Sequence, residues 1–308
     1  MKKIIIFITI TLSVVVILLF IFLNGKTDVL ALTTFPKAYN LVGLYQDSEE
    51  LEVNIYISGK DPFLIRRENI SSCYLSDAQS EDRLHLELLA IEKQAAALEI
   101  GQDLYQQYQF QFLLDFNTTG EVTIEMPQAV LNLEMLQTDA VRIGIGSFTL
   151  NKISSFGSED LRIARLKGIV NHLNYRKTLV GIAMEIVNKS EKEMTLTGMV
   201  PLDVNIKPTT SISKLPNLQF YSGENLNVIL EMGEEDTNIV LAPGTNAYFL
   251  FPITYKTTLP LNKLGFCLEY QSNEEYKKLY FNEFTFYNSY AYSAEEVSGL
   301  VIYNYENH

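Results

Sequence analysis

Apolar and polar side chains alternate at every second position through stretch after stretch of this 308-residue chain. Successive side chains of a strand point to opposite faces, so this period marks half-buried β-strands. Leu51, Val53, Ile55 and Ile57 alternate with Glu52, Asn54, Tyr56 and Ser58 before a Gly59-Lys60-Asp61-Pro62 turn. Tyr108, Phe110, Phe112, Leu114 and Phe116 form a second such series. It runs through the Asn117-Thr118-Thr119-Gly120 turn into Val122, Ile124 and Met126, a predicted hairpin. Val141, Ile143 and Ile145 form a further short strand. With 18 Tyr, 17 Phe and no Trp, the composition also favours strands. The stretch 83–107 is ambiguous. Leu84, Leu86 and Leu88 alternate, but AIEKQAAAL over 90–98 has high helix propensity. It reads as a strand followed by a short helix or a second strand.

The turn-rich run Ser154-Ser155-Phe156-Gly157-Ser158 divides this series from another. The later strands are predicted at 180–187, 193–200, 247–255, 264–270 and 279–286, with a long loop over 211–227. Short strands separated by turns, with no βαβ rhythm, imply β-sandwiches. The predicted domains are a β-rich unit over 39–150 and a sandwich over 161–287. An aromatic tail follows over 288–308.

Ahead of both lies Ile4–Leu23, twenty residues without a charge, Pro or Gly, preceded by Lys2 and Lys3. As a helix it would span ~30 Å, the thickness of a bilayer core. The positive-inside rule would leave residues 1–3 as a cytoplasmic stub and send the bulk outside. A cleaved signal peptide is the competing reading, but its apolar region is shorter and ends at a small-x-small site. The fold class expected is thus mainly β: one N-terminal transmembrane helix, a spacer over 24–38, and two immunoglobulin-like β-sandwich domains. The protein is expected at the cell membrane, single-pass, with its C-terminal bulk extracellular.

A resemblance adds to this reading. The run VGIAMEIVNKSEKEMTLTGM over 180–199 is a strand, an Asn-Lys-Ser turn and a second strand, and LAPGTNAYFLFPITY follows over 241–255. Together they resemble the telokin-type, immunoglobulin-like extracytoplasmic domains of Gram-positive bacteria, across residues 161–287. The resemblance implies a sandwich without catalytic residues. The segment 203–239 is longer than that compact pattern.

The chemistry-bearing residues are few. His85, His172 and His308 have no second ligand at metal spacing and read as surface histidines. Gly144-Ile145-Gly146-Ser147 lacks the lysine of a phosphate loop and reads as strand flexibility or a bulge. Glu234, Glu235 and Asp236 are a weak calcium candidate, since consecutive acids in an extended chain point apart. No metal or cofactor is expected. Cys73 and Cys267 fall in different predicted domains. A disulfide would staple the two together, and two packed free thiols is the simpler expectation. Tyr287, Tyr290 and Tyr292 are a candidate contact surface, because tyrosine offers an apolar face and a hydroxyl together.

The net charge of −13 argues against nucleic acid, whose binding needs a basic face. These features point to a membrane-anchored interaction protein. Its partner would be another membrane or cell-surface protein or a wall polymer. An accessory subunit of a transporter or assembly complex is the alternative, and a surface hydrolase the second alternative.

Overall fold

Strand propensity is realised almost everywhere, in strands long enough to bend. The computed structural model describes residues 29–306, except 45–47, 60–62, 79–82, 116–121, 154–158, 174–175, 204, 210, 220–225, 232, 237–238, 257–263 and 285–292. The first half contributes β1 (Val29–Thr33), β2 (Lys37–Leu44), β3 (Ser48–Ser58), β4 (Ile70–Asp77), β5 (Arg83–Ile100), β6 (Asp103–Asp115), β7 (Val122–Met135) and β8 (Val141–Ile153). Two short 3-10 turns, Phe63–Ile65 and Arg67–Asn69, precede β4. The second half contributes β9 (Leu161–Leu173), β10 (Arg176–Asn188), β11 (Met194–Pro201), β12 (Ile206–Lys207), β13 (Ile212–Leu215), α1 (Leu226–Glu231), β14 (Glu234–Asp236), β15 (Ile239–Leu241), β16 (Asn246–Pro252), β17 (Thr254–Tyr255), β18 (Leu264–Ser272) and β19 (Glu275–Phe284). The chain closes with α2 (Ala294–Ser298) and β20 (Tyr303–Glu306).

The first domain is one nine-stranded sheet, ordered β2-β8-β7-β4-β5-β6-β3-β1-β20. Its apolar faces meet in a single core that includes Leu51, Val53, Ile55, Phe110, Phe112, Leu131, Ile143 and Phe148. A sheet can surround one core only by rolling, and the ends of this one do meet. β2 pairs with β8 only along Gly146–Ile153, which leaves Val141–Ile145 without a backbone partner on that side. Two tyrosines of β20, the last strand at the opposite edge, fill the gap. The Tyr305 hydroxyl donates to Arg142 O at 2.8 Å and accepts from Arg142 N at 2.8 Å. The Tyr303 hydroxyl accepts from Gly144 N at 3.0 Å. A Cβ at residue 144 would stand 3.1 Å from that hydroxyl, so glycine permits the approach.

Gly146 has φ +115°, and the β7–β8 register shifts opposite it. The shift turns β8 over: Ile143 and Ile145 face the core before it, Phe148 and Leu150 after it. Ser147, Thr149 and Asn151 are thereby sent to the other face.

The second domain is a two-layer sandwich. One sheet runs β14-β13-β16-β10-β9 and the other β15-β11-β18-β19. Ile182, Met184, Ile186, Phe249 and Phe251 of the first pack on Leu196, Phe266, Leu268 and Tyr270 of the second. The order β9-β10-β16-β13 against β11-β18-β19 is the ABED and CFG arrangement of an immunoglobulin fold. The β18–β19 hairpin turns through Asn273 (φ 50°) and Glu274 (φ 65°), the mirror-image turn that suits twisted strands.

Five expectations need correction. The predicted hairpin does not form, since β4 and β5 separate β6 from β7 in the sheet. Among the described residues no helix is long and apolar enough to cross a membrane. Helices α1 and α2 have 6 and 5 residues, under ~10 Å of rise against the ~30 Å of a bilayer core. The transmembrane helix of the expected fold class is therefore unsupported, and its segment Ile4–Leu23 lies outside the described residues. The first domain is a rolled single sheet, not a sandwich. The helix former AIEKQAAAL is part of β5, because β6 offers it a full antiparallel partner. Three β5 residues between Lys93 and Ala97 stand against the one β6 residue between Tyr108 and Gln106, a bulge. The Gln106 amide donates to the carbonyls of Gln94 and Ala96 there. Finally, the supposed spacer contains β1 and the supposed tail contains β20, and the two pair with each other. The sandwich is consequently inserted between β8 and β20 of the first domain.

Replacing Tyr305 by Phe removes two hydrogen bonds of the closure and is expected to cost roughly 1–2 kcal/mol. Tyr303→Phe should cost about half that. Urea unfolding checks both, and unchanged midpoints would show that the hydroxyls do not hold the roll. Gly146→Ala is expected to cost at least about 2 kcal/mol, because its Cβ would collide with the Lys37 backbone at an unfavourable φ.

Candidate functional site

Three polar residues of β8, displaced to the outer face by the Gly146 shift, look away from the rolled core. Ser147, Thr149 and Asn151 are all buried, as is Asn40 on the neighbouring strand. Parallel register sets Ala38 beside Ser147 and Asn40 beside Thr149. What buries this face is the sandwich, since Ala38 belongs to its core. The turn after β11 lies against it. Asn151 Nδ2 donates to Leu202 O at 3.0 Å, and Asn205 Nδ2 donates to Ser147 Oγ at 2.7 Å. The turn is fixed to its own domain by Leu202 N to Gly265 O, Ile206 N to Asp203 O and Lys256 N to Asn205 O. The seam between the domains is therefore polar and rigidly backed.

Not every group in it is satisfied. Asn40 is 0 % exposed, yet neither its amide nitrogen nor its amide oxygen has a partner. Asp203 is 3 % exposed; its Oδ1 accepts from Asn205 N at 2.7 Å, and its Oδ2 has no partner. Burial raises the Asp203 carboxyl above its ordinary value, opposed by the Asn205 hydrogen bonds and by the Lys256 charge. On the other face of β2, burial lowers the Lys37 ammonium, with the Glu52 carboxylate acting against it.

A second feature lies on the outer face of the sheet formed by β15, β11, β18 and β19. Register sets Val240 opposite Thr195, Thr195 opposite Gln271, and Gln271 opposite Tyr276. Their chain neighbours Ile239, Leu241, Met194, Leu196 and Tyr270 are in the sandwich core, so these four point outward. They make one transverse row of ~14 Å at a ~4.8 Å strand spacing. Tyr276 is 75 % exposed and Val240 50 %. The next row carries the Lys278–Glu269 ion pair at 3.7 Å.

The residues singled out in the sequence are scattered. Tyr287, Tyr290 and Tyr292 lie outside the described residues. Glu234, Glu235 and Asp236 form β14, an extended strand paired with β13 and not a loop folded around an ion. Among the described residues no group of three or more His, Cys, Asp or Glu could hold a metal. Cys73 and Cys267 are both free and buried, so no disulfide joins the domains. Burial pushes each thiol up to about 12, with Lys278 and Tyr280 acting against it at Cys267. Neither is a thiolate at neutral pH. His85 is exposed beside the Tyr74 ring, and His172 belongs to β9. His308 lies outside the described residues.

The seam residues escaped the sequence reading. Their trace was present as Ser147, Thr149 and Asn151, a period-2 polar series directly after the glycine pair 144 and 146.

No protein-family model matches the sequence, and no curated protein aligns with it. Among solved structures, one titled BspA_C_WT overlaps 80% of this chain and 97% of its own, at 7% identity and a TM-score of 0.21. A titin A168–169 structure overlaps 82% and 97%, at 12% identity and a TM-score of 0.19. The Streptococcus agalactiae AgI/II polypeptide BspA C-terminal domain overlaps 80% and 97%, at 6% identity and a TM-score of 0.18. At such scores these likenesses carry no weight. The immunoglobulin-type arrangement of the sandwich rests on its own strand order.

Proposed function

We propose that this chain is an interaction protein that binds a partner protein on the outer face of the β15-β11-β18-β19 sheet. The observation that carries this reading is the row Val240, Thr195, Gln271 and Tyr276. An aliphatic and an aromatic side chain stand exposed at its ends, with a hydroxyl and an amide between them. A rigid tyrosine offers large contact area at small entropic cost, and such residues dominate binding energy at protein interfaces. The amide and the hydroxyl supply direction. A sheet packed on the sandwich core presents these groups at fixed spacing, which lowers the ordering cost of association. The partner surface that fits is apolar with hydrogen-bonding groups near its centre.

A photo-reactive amino acid in place of Tyr276 should give one covalent adduct of defined mass in the producing cell. The same substitution at exposed Lys207, off this face, should not. Val240→Asp is expected to weaken capture at least about tenfold, because it sets an unpaired charge in a desolvated contact. Equal yields from positions 276 and 207 would remove the basis of the proposal.

A further inference from the structure

We infer that the β9 edge of the sandwich is a second docking surface, which takes an extended, acidic segment of a partner protein as an added strand. β9 ends the β14-β13-β16-β10-β9 sheet. Among the described residues it pairs on one side only, with β10. Two register shifts interrupt that pairing, and the extra residues are Ala164 in β9 and Val180 in β10. β9 itself is therefore regular from Arg165 to Leu173. In a regular edge strand every second residue turns its N–H and C=O away from the sheet, the template that strand addition uses.

Charge and polarity define the added strand. Residues 161–184 hold Arg162, Arg165, Lys167, Arg176 and Lys177 and no Asp or Glu, in a chain of net charge −13. Register sets Arg165 opposite Glu185 and Lys167 opposite Ala183, and both cations are exposed. Arg165 is held in position: its Nε lies 3.0 Å from Oε2 of buried Glu185, whose Oε1 accepts from Asn246 Nδ2 at 2.6 Å. The Arg165 side chain is nonetheless 70% exposed, and a guanidinium has donors to spare for a second carboxylate. On the other face of β9, Leu166 and Val170 pack against the sandwich core and are only partly buried. Cations alone could serve merely to guard a sheet edge. The apolar row behind them is what an added strand would cover. A strand of alternating apolar and acidic residues meets both faces at once: its apolar side chains extend the core beside Leu166 and Val170, and its carboxylates stand beside Arg165 and Lys167. A second copy of β9 would set like charges together there, which disfavours it as the occupant. A polyanion without a peptide backbone would meet the cations but neither the ladder nor the apolar row.

The probe is a capped peptide of about eight residues alternating Val and Glu, within the ordinary range of strand lengths, added to the full chain. Its binding is expected to slow amide hydrogen exchange within Arg165–Leu173 at least about tenfold. The matching Val and Lys peptide should give no protection. The same Val and Glu peptide N-methylated at every residue keeps its side chains but has no donors, and it should not bind; polyglutamate should bind at least about tenfold more weakly. Lys167→Glu leaves the Arg165–Glu185 pair in place and should weaken the peptide at least about tenfold. Val240→Asp, on the opposite sheet, should leave peptide binding unchanged, so failure here and failure of the Tyr276 surface are told apart. Equal binding by the N-methylated peptide or by polyglutamate overturns the inference. Undiminished binding to Lys167→Glu does so too, as does the absence of protection along β9.

Discussion

The return of the chain to its starting sheet is the constraint on which the rest of the architecture depends. β20 comes from beyond the sandwich, pairs with β1, and lends two phenol hydroxyls to the bare edge of β8. Without it the rolled sheet would carry two open edges, each a template for unwanted strand pairing. With it the sandwich becomes an insertion, joined to the first domain before β9 and again after β19. Two covalent connections restrict hinge motion far more than one. The polar seam then settles which faces meet.

That seam differs in kind from the polar features inside the sandwich. Asn188 is also fully buried, yet its side chain donates to Lys192 O, Leu241 O and Ala242 O and accepts from Ser190. Such a satisfied side chain fixes structure. Asn40 is equally buried, with neither amide atom paired. The fold places its saturated asparagine where two turns must be held together, and its unsaturated one where two domains meet.

The strands were legible because one face of each is wet, and the period-2 signal survives wherever that holds. The immunoglobulin-type arrangement was legible for a local reason. The Asn188 turn and the Leu241-Ala242-Pro243-Gly244 run, distant in sequence, are the two sides of that hydrogen-bonded knot. The run 90–98 misled because its propensity is helical while its pairing partner is a strand, and tertiary pairing prevails over propensity. β20 was unreadable as a strand of the first domain because four residues carry no period. Of the candidate site, the outward row needs register across four strands, which no single stretch of sequence contains. The seam needs the φ of one glycine, since only that reversal turns Ser147, Thr149 and Asn151 from one face to the other.

The pairing of β1 with β20 has one more consequence. Val29 and Glu306 are register partners, so the two ends of the described chain lie side by side, about 5 Å apart between Cα atoms. The fold is in this sense topologically circular. A short linker from 306 to 29 would leave every strand in place, and new ends opened in an exposed turn, such as that between β18 and β19, would yield a circular permutant with the same two domains.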